Sequence, residues 1–273
     1  MIDLHIHSTA SDGTLTPEQI VQVALAKGLS AIAIADHDTV GGVRPAIAAA
    51  RGTGLEVFPA VEVSAQVGEH ELHILGYCID LASEELQATL LRAQVARQER
   101  VREMVRRLQA LGLPITDEDV AAHARGTAPG RPHVAAAMVS RGIVRQSQDA
   151  FHRYLRRGRP GYVERWKLMP ADAIGLIKRA GGVAVFAHPG LSGCDDRVPS
   201  FAEFGLEGLE AYHVDHSPSQ TMRYKRLAKA LGMLVTGGTD SHGPTGPTPV
   251  EIGQVQVPDE CAESLRQWQS RHG

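Results

Sequence analysis

The 273-residue sequence predicts an α/β fold: strands and helices alternating around a closed or nearly closed barrel, with a helical insertion. Two observations carry the barrel. Some seven short apolar segments alternate with helical ones, the βαβ rhythm of strands that need a helix to return in parallel. Histidine and carboxylate patches stand at the first, middle and last of those strands, and a barrel collects such residues at one rim. The insertion is predicted by a long helical, arginine-rich stretch that interrupts the rhythm.

Ile2 to His7 reads as a strand, followed by a loop through Ser8, Ser11, Asp12 and Gly13. Thr16 then offers an N-cap oxygen, Pro17 a preset first turn and Gln19 the capping-box partner, which predicts a helix to residue 27, ended by Gly28. Leu29 to Ala35 is a buried strand running into Asp36-His37-Asp38, and a second helix spans Gly42 to Arg51. Strands follow at Leu55 to Ser64 and His70 to Cys78.

From Ser83 the pattern is helical to about Leu111. Thr116 caps another helix, and helical stretches alternate with Gly/Pro breaks up to Pro160. The βα rhythm resumes with a helix at Pro170 to Ala180, strands at Val183 to Ala187 and Leu206 to His213, a helix at Pro218 to Leu231 and a strand at Met233 to Gly237. The expected domains are a barrel over 1–91 and 168–273 and an insertion over 92–167.

Composition narrows the classes. A chain of this length with 43% hydrophobic residues can bury one barrel-sized core with an addition to it. It contains no run of ~18 apolar residues and no basic-then-apolar start, so neither a membrane span nor a signal peptide is expected, and a cytoplasmic location is. Three scattered cysteines, Cys78, Cys194 and Cys261, argue against a disulfide framework and against a thiolate zinc site. The net charge of −3 hides an asymmetry: residues 92 to 167 hold 16 Lys/Arg against 7 Asp/Glu. That bias suggests an anionic substrate; a solvated arginine-rich surface is the alternative.

Five patches carry metal-binding side chains: His5-Ile6-His7, Asp36-His37-Asp38, Glu62 to His73, His188-Pro189 and Asp240-Ser241-His242. Residues i and i+2 of a strand share a face, so His5 with His7, and Asp240 with His242, can each grip one ion. The donors exceed what one ion binds, and Glu62 is a reasonable bridge between ions. Imidazole and carboxylate without thiolate suit Mn, Fe, Zn or Co better than Mg or Ca. Two ions ~3.5 to 4 Å apart can share a hydroxide and stabilise an in-line displacement, chemistry that fits phosphoester hydrolysis. Arg131, in a loop held by Pro129, Gly130 and Pro132, is a candidate phosphate ligand with His133; Lys167 and Arg197 are weaker ones. Asp36 and Asp38 could orient an imidazole or cap a turn. His213 and His216 could protonate a leaving group, though packing or helix capping is the stronger reading.

The set His5-Ile6-His7, Asp12, Asp36-His37-Asp38, Glu62, His73, His188-Pro189 and Gly238-Thr239-Asp240-Ser241-His242 resembles the PHP (polymerase and histidinol phosphatase) family, over residues 1 to 80 and 181 to 245. The resemblance implies a distorted (β/α)7 barrel. It also implies one ion on His5, His7, Glu62 and Asp240, a second on Asp12, His37 and His242, and a third on Glu62, His73 and His188, with Mn2+ foremost. Asp36 to Gly42 and an insertion carrying Gly130-Arg131-Pro132-His133 resemble the branch acting on nucleotides. That implies removal of the 3'-phosphate from 3',5'-nucleoside bisphosphates such as pAp by a metal-bridging hydroxide, with Asp240, His242, His37 and Glu62 as the catalytic groups. The same resemblance admits a 5'-to-3' exoribonuclease on short RNA, a histidinol phosphate phosphatase and a non-catalytic metal-binding module.

Overall fold

The structure, a computed structural model, describes residues 1–124, 129–164, 166–245 and 249–272. Contacts divide the chain into two units, Met1–Leu90 with Lys167–Gly273, and Leu91–Trp166. In the first unit the order is β1 (Ile2–Ile6), α1 (Pro17–Ala26), β2 (Ala31–Ile34), α2 (Val43–Ala50), β3 (Glu56–Val67) and β4 (His70–Tyr77). Helix α3 (Glu84–Ala110) carries the chain into the second unit, which adds α4 (Asp117–Ala121), α5 (Arg131–Ser140), α6 (Ser147–Ala150) and a π-helical turn at Phe151–Leu155. The first unit then resumes with α7 (Pro170–Arg179), β5 (Val183–Phe186), α8 (Pro189–Ser192), α9 (Val198–Glu203), β6 (Gly208–Tyr212), α10 (Pro218–Leu231), β7 (Leu234–Gly237) and α11 (Asp259–His272).

One seven-stranded sheet runs in sequence order from β1 to β7. All neighbours are parallel except β4, which is antiparallel to both β3 and β5 because a hairpin, not a helical crossover, joins it to β3. Closure comes from just beyond β7. Ser241 forms a parallel bridge with Ile6, the Asp240 N–H donates to the His5 carbonyl at 2.9 Å, and the His7 N–H donates to the Ser241 carbonyl at 3.0 Å. The fold is therefore a nearly closed seven-stranded α/β barrel, as the alternation predicts. A Cβ on Gly238 would overlap His5, so the closing segment needs glycine there.

Leu4, Ala33, Ala60, Leu75, Tyr77 and Val185 fill the interior together with Cys261, Leu265 and Trp268 of α11. The outer faces pack α1 and α2 on Ile6, Ile32 and Ile34, and α7 and α10 on β3 to β6. Burying a Leu or Ile side chain contributes ~1.5–3 kcal/mol each, which makes these layers the main source of stability. The second unit has its own core, in which Met104, Val105 and Leu108 of α3 meet Val120, Val134, Met138 and Leu155.

A β-bulge sets the site. Asp3 pairs with Ile32 and Ile6 with Ile34, so β1 contains one residue more than β2 between those pairs. In consequence Ile2 and Leu4 join the inner core but Ile6 joins the outer one, and His5 and His7 turn inward. The sequence reading differs from the structure in two places. Residues 131–133 are not part of a loop: Arg131 opens α5 behind Gly130, with Pro132 in the first turn, where its fixed φ is already helical. Helices α8, α9 and α11 were not expected, being short or weakly periodic.

Candidate metal centre

Every strand except β6 delivers a donor, from within the strand or from just beyond its end. His5 and His7 come from β1 and its end, His37 from the end of β2, Glu62 from β3, His73 from β4, His188 from the end of β5, and Asp240 and His242 from the segment after β7. Asp12 arrives on the β1–α1 loop, which Asp36 holds by accepting from the Ser8 N–H at 2.7 Å and from the Ser8 and Ser11 hydroxyls at 2.6 Å each. Asp38 accepts from the Ser64 N–H at 2.9 Å and its hydroxyl at 3.0 Å. The two aspartates thus build the backbone around His37.

Among the described residues, those with positive φ other than glycine are Asp38, Cys78, His188 and Asp240. Strained backbone of this kind costs ~1–3 kcal/mol per residue and persists where the surroundings demand it. Three of the four lie in this site.

Glu62, fully buried, sits at the centre. Its Oε1 is 2.9 Å from His73 Nδ1, 3.0 Å from His188 Nε2 and 3.6 Å from His5 Nε2; its Oε2 is 2.7 Å from His37 Nδ1 and 3.4 Å from His7 Nε2. On one side, Asp240 Oδ1 is 2.9 Å from His7 Nε2 and 3.5 Å from His5 Nε2. On another, Asp12 faces His242 Nε2 at 3.4 Å, His7 Nδ1 at 3.7 Å and His37 Nε2 at 3.9 Å. Among the described residues, three overlapping groups have donor atoms close enough for one ion each: His5, His7 and Asp240; His7, Asp12, His37 and His242; and His37, Glu62 and His73.

The electrostatics are those of a centre built around positive charge. Burial alone would push Glu62 up, but His37, His73 and His5 hold it well below the usual carboxylate range. Asp240 is likewise held well below, by His5, His213 and His7 against the effect of burial. Burial pulls His7 down to about 4, with His242 adding to the effect. His5 lies well above its ordinary value, because Glu210, Asp240 and Glu62 outweigh burial, and Asp12 outweighs burial at His242, raised to about 9.

The donor set fits metal ions. His5 Nδ1 lies 3.0 Å from Glu210 and His242 Nδ1 lies 2.9 Å from the Asp240 carbonyl, which directs each Nε2 lone pair inward, the arrangement that orients imidazole ligands. His5 Nε2 and His7 Nε2 are only 3.1 Å apart, and His7 Nδ1, Glu62 Oε2 and Asp240 Oδ1 are buried without a hydrogen-bond partner. Orphans of this kind cost ~1–3 kcal/mol each, more when charged, unless a cation satisfies them.

A pH dependence follows. In the metal-free protein His5 and His242 retain their protons at neutral pH, and an ion must displace them. Apparent metal affinity is expected to rise from pH 7 to about 9, with about one proton released at each of the two sites that contain His5 or His242. Titration calorimetry in buffers of different ionisation enthalpy measures that release; a result of zero protons rules the assignment out.

Of the remaining expected residues, His133 uses Nδ1 to accept from the Gly130 N–H at 3.0 Å at the start of α5. Arg131 and His133 belong to the second unit. Lys167 is half-buried in the first unit, and Arg197 is exposed on a 3-10 turn, Asp195–Arg197. Sequence reasoning passed over Glu210, buried on β6, which lies 3.0 Å from His5 Nδ1 and accepts from the His188 N–H at 2.7 Å. The signal was there: a lone carboxylate between Leu209 and Ala211 in an otherwise apolar strand. His213 also turns into the site, 3.7 Å from Asp240 Oδ2.

An α/β barrel with imidazoles and carboxylates converging at its strand ends defines a metal-dependent hydrolase. Residues 3–107 match the PHP domain model. The chain is 34% identical, over 99% of its length and 97% of the relative's, to the 3',5'-nucleoside bisphosphate phosphatase of Chromobacterium violaceum. It is 34% identical to the 5'-3' exoribonuclease Rnm of Escherichia coli over 89% of this chain and 85% of that one. A solved protein of Bifidobacterium adolescentis, provisionally described as a metal-dependent phosphoesterase, superposes with a TM-score of 0.84 at 33% identity, covering 98% of this chain and 96% of that one. The chain belongs to the PHP family and is a metal-dependent phosphoric ester hydrolase.

Proposed function

We propose that the protein removes the 3'-phosphate from 3',5'-nucleoside bisphosphates, converting pAp to AMP, with three divalent ions of which manganese is the favoured one. The observation that carries this reading is the 34% identity, over nearly the full length of both chains, to a phosphatase of that name. Three overlapping donor groups support three ions, and the mixed imidazole and carboxylate set supports manganese over magnesium or calcium. When bound, the ions supply activation of water and neutralisation of phosphoryl charge.

The chain's own residues do the rest. Glu62 and Asp240 stay ionised and hold the imidazoles in place, while Glu210 and the Asp240 carbonyl set the tautomers of His5 and His242. Cations for the second phosphate would come first from Arg131 and His133 of the arginine-rich segment, with Lys167 and Arg197 of the first unit subsidiary. A second reading, 5'-to-3' removal of nucleotides from short RNA, is favoured by the identity to the exoribonuclease.

Phosphate and nucleotide release from pAp, histidinol phosphate and a 5'-phosphorylated trinucleotide, compared at one manganese concentration, tests both. The expected result is a kcat/KM for pAp at least about tenfold above the others, a difference of about 1.4 kcal/mol in barrier. Preferred shortening of the trinucleotide would select the second reading, and preference for histidinol phosphate would reject both.

A further inference from the structure

His213 stands outside the nine residues of the metal pattern, yet its imidazole, 1% exposed, faces Asp240 at the rim. Its surroundings define which proton it carries. The Asp215 N–H donates to His213 Nδ1 at 3.1 Å, so Nδ1 presents its lone pair to the backbone. A neutral imidazole has one such lone pair, and the other nitrogen must then bear hydrogen. Nε2 is therefore an N–H, and it cannot ligate a metal ion while that backbone bond stands.

That N–H is buried and has no hydrogen-bond partner. Its nearest carboxylate oxygen, Asp240 Oδ2, lies at 3.7 Å, beyond hydrogen-bond reach. The neighbouring rings are His188, with its centroid 5.5 Å away, and His216, at 5.3 Å. His216 is itself occupied, with Nδ1 3.1 Å from the Ala211 carbonyl and Nε2 accepting from the Gly190 N–H at 3.2 Å. The charged and titratable groups around His213 are thus Asp240, Glu210, Asp215, His188 and His216, and none takes the Nε2 hydrogen. A buried donor left unmade costs ~1–3 kcal/mol unless a ligand meets it.

We propose that His213 is a substrate-contacting residue whose Nε2–H donates a hydrogen bond to an oxygen of the phosphoryl group undergoing hydrolysis beside Asp240. The assignment rests on the phosphomonoesterase reading given above. The donor is held in place by the backbone before substrate arrives, so it stabilises developing oxygen charge at no reorganisation cost.

The test combines three measurements on the full chain. Histidine 15N NMR of the metal-free and zinc-loaded protein, with the His213 signals identified by their loss in His213→Gln, should show Nε2 protonated and Nδ1 bare in both states. Protonation on Nδ1 instead, or a zinc-shifted Nε2, overturns the proposal. In manganese-loaded protein, His213→Phe should bind inorganic phosphate at least about tenfold more weakly while retaining the full metal content. Its kcat on pAp should fall by ~10² with a smaller change in KM, and His213→Gln, which keeps an amide donor, should fall between it and the wild type.

Unchanged phosphate affinity in His213→Phe, or loss of an ion, overturns it. If the wild type leaves pAp intact but binds inorganic phosphate through His213, the substrate reading fails and the role of His213 is supported.

Discussion

Glu62→Gln is expected to cost both metal and activity. Glu62 is the one carboxylate within 3.6 Å of His5, His7, His37, His73 and His188, and it is fully ionised behind complete burial. The isosteric amide removes the charge and turns one oxygen acceptor into a donor that points at imidazole nitrogens. Loss of even one ion forfeits several kcal/mol of charge stabilisation in the transition state, so kcat/KM should fall by at least ~10³, with at least one equivalent of metal lost by elemental analysis. His5, raised partly by Glu62, should also release fewer protons on metal binding. A variant with its full metal complement and activity within tenfold of wild type would falsify the central place given to Glu62.

Asp3→Ala is expected to be the most damaging substitution for stability, although Asp3 touches no candidate ligand through its carboxylate except the His5 N–H, at 3.4 Å. The buried carboxylate accepts from the Thr239 N–H at 2.9 Å, the Thr239 hydroxyl at 2.7 Å and the Gly253 N–H at 2.8 Å. It thereby ties β1 to the segment that closes the barrel and carries Asp240. Alanine leaves these donors without their acceptor, a loss on the order of 3–5 kcal/mol. For a chain of this size that is a fall of ~6–15 °C in Tm, measured without metal so that ligand binding does not mask it. A shift below about 2 °C would show that closure does not depend on this carboxylate, and Asp3→Asn should lose less, since it retains one acceptor oxygen.

The alternation of strands and helices was readable because most strands are short, apolar and bounded by turn residues, and the start of α10 follows from Pro218, whose φ is preset for a first turn. Among the candidate ligands, His5 with His7 and Asp240 with His242 were readable from their i, i+2 spacing, whereas the full set of nine, Asp12 included, came from the resemblance to the PHP family. Other features were not. The bulge in β1 leaves no mark in the run Ile2-Asp3-Leu4-His5-Ile6, yet it decides which side of the sheet His5 faces. Glu210 and His213 each look like an isolated polar residue, and only their positions beside His5 and Asp240 distinguish them. Arg131 looked like a loop residue because glycine and proline surround it, and the same proline starts a helix equally well.

By itself, then, the sequence determined the class of fold and the chemistry of the donors, since hydrophobic period and side-chain type are local properties. The tertiary structure decided which donors meet, which lone pairs remain for an ion, and which imidazole is barred from binding one. These depend on partners far apart in the chain, such as Glu210 for His5 and the closing segment after β7 for β1. Coordination is governed by distance and by the proton on each nitrogen, and both are set by burial and hydrogen bonds that exist only once the barrel has closed.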